Sequence, residues 1–213
     1  MAIAGRFIHT VMPVRYKHAA QKVAYSALER NLHNACNMTK TPQDACDLLK
    51  KVHEITSIKS PIIPERGILK PIKLDGAHLL MAEQNFDKMH GFHFDVKGKI
   101  ENSGNVKYLL RRDESNGVSR ALFELNGKIK ESSFFPNQSY DHVSLTKKII
   151  DNLAQVDYTK LKVNKAGKFD VEICFDGIYV KAFINSSTFK ADCYPIHPDW
   201  KQNALYKEHF GIK

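Results

Sequence analysis

The sequence predicts an α+β fold: an N-terminal helical hairpin, then a mostly antiparallel β-sheet domain that carries one packed helix. Three observations predict it. Apolar residues recur at helical spacing in two stretches near the N-terminus and then stop. A proline-rich connector follows. Beyond it come short alternating runs, punctuated by Asn-Gly and Asp-Gly turns and interrupted by a single helical stretch.

Residues 15–35 read as the first helix. Ala20, Val23, Ala24, Ala27 and Leu28 fall at helical spacing, with Arg30 and His33 near the end. Residues 42–55 read as the second. Thr41 can cap it, Pro42 suits its first turn, and Asp44 completes a capping-box-like T-x-x-D. Ala45, Leu48, Leu49 and Val52 then form one apolar face. The short connection predicts an antiparallel hairpin. From Ser57 to Pro71 the pattern ends, because Pro61, Pro64, Pro71 and Gly67 leave only an extended connector. This is the best internal boundary, dividing a helical segment, residues 1–62, from a sheet domain, residues 63–213. Two helices are a thin basis for a separate domain, so they are expected to pack on the remainder.

Gly76 to Gln84 reads as a turn leading into a short helix that carries His78. Phe92-His93-Phe94-Asp95-Val96 alternates as a strand should. Tyr108–Leu110 and Val118–Leu125 follow as strands around the turn Asn116-Gly117, and Lys128–Ser133 is a further extended piece. Ser139 is expected to cap a helix running to about Ala154, with Val143, Ile149, Ile150 and Leu153 inward. Strands at Phe169–Phe175, Ile178–Ile184 and roughly Thr188–Tyr194 close the chain, the first two joined at Asp176-Gly177.

A hydrophobic content of 43% and a charged content of 26% are ordinary for a globular protein, but the net charge of +9 is not. It points to a polyanionic partner: nucleic acid, acidic membrane or an acidic protein. Lys107, Arg111, Arg112, Lys147, Lys148, Lys160 and Lys162 read mostly as solvated faces, with a subset available to line such a path. None of Cys36, Cys46, Cys174 and Cys193 forms a CxxC pair, which argues against a structural zinc site. Cys36 and Cys46 flank the helical turn and could bridge; reduced, buried thiols are the preferred expectation. No stretch is apolar for the length of a bilayer, so no membrane association is expected. The start, MAIAGRFIHTVMPV, makes a poor signal peptide because Arg6 and His9 interrupt it.

The chain is organised around His78-LLMAEQNFDKMHGF-His93, two histidines 15 residues apart. Histidine changes charge near neutral pH, so a facing pair can give and take a proton in one turnover. Spacing alone is weak evidence among ten histidines, and a lone histidine is more often structural than catalytic. Further elements follow in order: Lys130-Glu131-Ser132-Ser133-Phe134-Phe135-Pro136 leading into a helix, and Tyr194-Pro195 on the last strand.

Taken together, Gly76 to Pro195 resembles the EndoU-type endoribonucleases, in particular their bacterial toxin branch, a family related to the coronavirus uridylate-specific endoribonuclease. The family opens its site with a His, a spacer of about this length and a Gly-x-His element. It then places a lysine ahead of a Ser/Thr-Phe-Phe-Pro run and closes on an aromatic followed by proline. The resemblance implies a nuclease domain in which His93 is the base and His78 the acid. Lys130 would steady the phosphate, with Lys128, on the same strand face, as the alternative. Ser132 or Ser133 would contact the base edge, and Tyr194 would stack on the base or hold its sugar. It further implies cleavage of single-stranded RNA, often at uridine, to 2′,3′-cyclic phosphate and 5′-OH ends. No metal cofactor is required, although some members are stimulated by Mn²⁺. The expected partners are RNA and an acidic immunity protein. The expected setting is a secreted or delivered effector acting in a target cell's cytoplasm, or otherwise a cytoplasmic protein.

Two other readings remain open. One is a non-catalytic RNA-binding module of the same fold. The other is a metal-dependent nuclease with His78, His90 and His93 as ligands, against which stands the lack of an HxxxH or paired acidic cluster. His90 itself reads as a bystander, a third ligand or the true acid.

Overall fold

A computed structural model describes residues 14–85, 88–95, 105–114, 116–196, 200–201 and 203–212. The opening MAIAGRFIHTVMP and Val96 of the expected strand lie outside the described residues. The fold is α+β, with the helical pair at the N-terminus.

Helices α1 (Val14–Met38) and α2 (Pro42–Ser57) are joined by Thr39, Lys40 and Thr41. Thr41 caps α2: the Asp44 amide donates to its hydroxyl at 3.1 Å, and the hydroxyl donates to the Asp44 carboxylate at 2.6 Å. Ala45, Leu48, Val52 and Ile55 are buried, with Leu49 partly so. In α1 the apolar positions Ala27 and Leu28 face solvent, Leu28 at 59% exposure. Of the α1 side chains described, from Ser26 onward, those buried are Asn34, Ala35 and Met38, in its last turns. Helix α1 has 25 residues and α2 has 16. At about 1.5 Å per residue, α1 therefore outruns its partner by roughly 13 Å.

The connector is extended except for a 3₁₀ turn at Pro64–Arg66 that ends on Gly67 at φ 75°. Ser60 holds it to the sheet: its amide donates to the Ile72 carbonyl at 3.0 Å, and its hydroxyl accepts from the Ile72 amide at 2.9 Å.

Three sheets follow among the described residues. Strands β1 (Lys73–Leu74), β7 (Lys168–Phe175), β8 (Ile178–Asn185) and β9 (Lys190–Ile196) form one sheet in the order β1-β9-β8-β7. Its pairings are antiparallel except β1 with β9, where Leu74 lies opposite Ala191 in parallel. Strands β4 (Val106–Asp113), β5 (Ser119–Leu125) and β6 (Lys128–Phe134) form an antiparallel sheet with β6 at one edge. Strands β2 (Ala82–Asn85) and β3 (Lys88–Gly91) form a hairpin. The Asp176-Gly177 turn has both residues at positive φ, 50° and 74°, the combination that follows strand twist.

Helix α4 (His142–Leu153) begins later than Ser139 because Asp141 is the better cap. Its carboxylate accepts from the Val143 and Ser144 amides at 2.8 Å each, and Ser144 closes the capping box. Leu145, Ile149, Ile150 and Leu153 are buried beneath it. A short α5 (Ala204–His209), not anticipated from sequence, packs near β4, β5 and β6. Ala35, Met38 and the inward face of α2 belong to the same core cluster as the strand residues. The helical pair therefore packs on the sheets, as expected.

All four cysteines are free, but the expectation of buried thiols holds only for Cys193. Cys36, Cys46 and Cys174 are exposed; Cys174 occupies an outward position on β7 between buried Ile173 and Phe175. Among the described residues no helix is long and apolar enough to cross a membrane.

Candidate active site

The site lies in a cleft of about 590 Å³ lined from two sheets, with Lys130, Ser132 and Ser133 of β6 on one side and Asp192 and Tyr194 of β9 on the other. Each side chain reaches it for a local reason. Strand β1 pairs with β9, and the Asp75 amide donates to the Ala191 carbonyl at 2.8 Å. Asp75 then caps α3 (Gly76–Leu80) by accepting from the His78 amide at 3.3 Å. His78 is thereby delivered beside β9.

The β2–β3 hairpin brings the chain back, with Gly91 opposite Ala82. The expected strand through Phe92–Asp95 does not form. Gly91 and Phe92 both adopt positive φ, 73° and 63°, and turn the chain inward. The amides of Phe92, His93 and Phe94 then donate to the carbonyls of His78 and Leu79 at 2.9, 2.8 and 3.0 Å. Phe92 to Asp95 are all buried, so the alternation read from sequence has no solvent face. This knot converts the 15-residue spacing into contact: the His78 and His93 ring centroids are 5.3 Å apart.

Gly91 is required there. A Cβ would come within 2.4 Å of the Met81 carbonyl oxygen and 2.7 Å of the His78 carbonyl oxygen. Gly91→Ala is expected to destabilise the protein by about 1–3 kcal/mol. At roughly 2–4 °C per kcal/mol for a chain of this size, a melting scan reads the loss directly. An unchanged melting temperature would contradict the close approach.

Period-two geometry on β6 aims Lys130, Ser132 and Phe134 at this knot. The Lys130 ammonium donates to the Gly91 carbonyl. The Ser132 hydroxyl donates to the Phe92 carbonyl at 3.1 Å and accepts from His93 Nδ1, also at 3.1 Å. Phe134 packs edge-on against Phe92 at 5.0 Å between centroids. His93 Nδ1–H also donates to the Ser133 carbonyl at 2.9 Å. With Nδ1 committed as donor, the neutral ring presents its lone pair at Nε2. Tyr194 stacks on the His93 ring at 5.4 Å and 29°.

Electrostatics separate the groups. Burial holds His93 well below the ordinary histidine value, and Lys130 and His78 add to the shift while its bond to Ser133 opposes it. Burial also lowers His78, but Asp192 and Asp75 act against that. Burial brings Lys130 down to about 7, with Glu83 acting against it. Burial raises the Tyr194 phenol, which therefore stays neutral. Such a cluster can take a proton at one imidazole, give one from the other and hold negative charge at the ammonium.

The structure thus brings together His78, His93, Lys130, Ser132, Ser133 and Tyr194. It does not bring Lys128, which sits at the turn end of β6 opposite Leu125, outside the cleft lining. Sharing a strand face did not suffice, because the next pair along is two residues nearer the turn. The Ser132 hydroxyl is turned to His93 and Phe92. His90 lines the cleft but is exposed. Sequence reasoning missed Asp192, Arg120 and Trp200, which also line the cleft. Asp192 was legible as the residue two before Tyr194 on the same strand face. Arg120 and Trp200 come from elements whose meeting has no local signal; the guanidinium lies 5.4 Å from the indole centroid and pairs with Glu131.

The basic residues read as solvated faces are tied to acids where pairs form. Arg111 meets Asp113 at 2.8 Å, Lys148 meets Asp176 at 3.1 Å and Lys160 meets Asp157 at 2.8 Å. Among the described residues no group of three or more His, Cys, Asp or Glu is placed to hold a metal ion. The fold and site define an α+β protein with a His/His/Lys cleft walled by an aromatic. Comparisons of the chain with protein-family models, with curated proteins and with solved structures find no match.

Proposed function

We propose that this protein is an endoribonuclease that cuts single-stranded RNA by internal attack of the 2′-OH, leaving 2′,3′-cyclic phosphate and 5′-OH ends. The observation that carries the reading is the convergence of the His78 and His93 rings, 5.3 Å apart, with the Lys130 ammonium in one cleft. His93 Nε2 takes the 2′-OH proton, because its Nδ1 is committed and its low affinity for protons keeps it neutral. His78, whose charged form Asp192 and Asp75 favour, protonates the departing 5′-oxygen. Lys130 meets the charge that builds on the phosphoryl oxygens. Tyr194 offers a stacking face, and Ser133 the edge contact that would favour uridine. The surplus of +9 supports a toxin or effector role in which an acidic immunity protein covers the cleft, with salt-sensitive association.

The test is incubation with a uridine-containing oligonucleotide in EDTA, followed by analysis of the new termini. Cyclic-phosphate and 5′-OH ends are expected. Intact RNA, or 3′-hydroxyl products, would refute the proposal.

A further inference from the structure

Past Tyr194 the cleft continues to an indole held by charged groups. Trp200 lines it, half-buried, and lies beyond Pro195, outside the stretch that resembles the ribonucleases. The ring packs partly on the core. Its Nε1–H donates to the Glu114 carboxylate, just past β4, at 3.2 Å. The Arg120 guanidinium of β5 lies 5.4 Å from its centroid. Arg120 is anchored in turn by Glu131 of β6 and by the Lys201 carbonyl, and Glu131 accepts from the Tyr206 amide at 3.1 Å. The indole therefore keeps a fixed place in the cleft wall. The Arg120 and Glu131 side chains are 12% and 6% exposed and neutralise each other. What this end of the cleft presents is a π surface rather than a cation for a phosphate.

The order along β9 decides which nucleotide meets this surface. The Ala191 carbonyl is bonded to Asp75, the cap of the helix that carries His78. Tyr194 stacks on His93. Ile196 follows on the same strand face and also lines the cleft, and Trp200 comes after it. In the reading above, His78 serves the departing nucleotide and Tyr194 the uridine. The upstream part of the RNA then runs from Tyr194 toward Trp200.

We infer that Trp200 is a second nucleotide subsite, stacking the base on the 5′ side of the cleaved uridine. The inference rests on the ribonuclease reading. Stacking on an indole accepts any base, because every base has a π-face, and a large purine gains most. It also requires an unstacked base, which a single strand supplies and a duplex does not.

The experiment gives the full chain two trinucleotides of equal charge. One is adenylyl-uridylyl-uridine; the other carries an abasic ribose in place of the adenosine. Release of the terminal uridine reports the cut after the central one. The adenosine form is expected to be favoured by about 5–100-fold in kcat/KM, mostly through KM. Both substrates carry the same phosphates, so this ratio should hold as salt rises while both rates fall. Trp200→Ala should bring the ratio to within about twofold of unity, and Trp200→Phe should keep part of it. A ratio near unity in the wild-type chain, or one that Trp200→Ala leaves intact, overturns the inference. If Trp200→Ala does not fold, the wild-type chain decides. With 2′-deoxyuridine at the central position to block cleavage, the adenosine trinucleotide should shift Trp200 fluorescence more than its abasic counterpart. Equal shifts overturn the inference. Failure of the ribonuclease reading looks different: no cyclic phosphate then forms from either trinucleotide, whatever the fluorescence shows.

Discussion

His93→Ala is expected to slow cyclic-phosphate formation by about 10³–10⁴-fold, the upper range for loss of a positioned general base. Three features concentrate the effect on this residue. The residue is 7% exposed, so water cannot readily substitute for it as base. Its Nδ1 donates to the Ser133 carbonyl at 2.9 Å, which aims Nε2 at the cleft. Its backbone is tied to Leu79 at 2.8 Å and, through its carbonyl, to the Phe135 amide at 2.9 Å, so the main chain keeps its path without the ring. Substrate binding should survive. Trp200, the single tryptophan of the chain, lines the same cleft and reports on occupancy. A 2′-deoxyuridine oligonucleotide, which lacks the nucleophile, should change Trp200 fluorescence in both proteins. A rate loss below tenfold in a folded His93→Ala protein would remove His93 from the chemistry.

Lys130→Met is expected to cost about 10²–10³-fold in kcat/KM, comparable to losing one preorganised donor to a developing oxyanion. Methionine keeps the length of the stem and removes the charge. The variant also carries a pH signature. In the proposed mechanism the working form has His93 neutral, His78 protonated and Lys130 protonated. His93 lies well below its ordinary value, so the acid limb falls well under pH 6.5. His78 is lowered and Lys130 stands at about 7, so both required protons are lost as pH rises toward and through neutrality. In the wild-type chain, log kcat/KM should therefore fall on the alkaline side with a slope approaching two. In Lys130→Met one of those protons no longer exists, and the slope should relax to one. A bound phosphate favours the charged forms of both groups, so the limb in kcat should lie at higher pH than the limb in kcat/KM. An alkaline limb of the same slope in both proteins would show that Lys130 does not titrate into the rate.

Helices α1, α2 and α4 and the later strands were legible from residues because their signals are local. Thr41 to Asp44, the buried face of α2 and the Asp176-Gly177 turn each lie within a few positions of the structure they specify. The start of α4 was misplaced by a choice between two nearby caps, which Asp141 wins because a carboxylate can accept from two amides at once. The stretch Phe92–Asp95 misled for a deeper reason. Alternation of aromatic and polar residues signals a strand only where one face meets water, and here Gly91 and Phe92 turn the segment into the interior.

By itself the sequence determined the α+β class, the N-terminal helical pair, α4 and the strands from β4 onward, and the short inventory of residue types able to move protons and hold a phosphate. Which of them share a cleft was decided by tertiary structure alone. The parallel β1–β9 pairing delivers His78, the β2–β3 hairpin returns His93 to it, and the register of β6 admits Lys130 while leaving Lys128 outside. Strand register, burial and the meeting of Arg120 with Trp200 are set by contacts between segments far apart in the chain. Such contacts depend on the whole fold closing, and no local pattern records them.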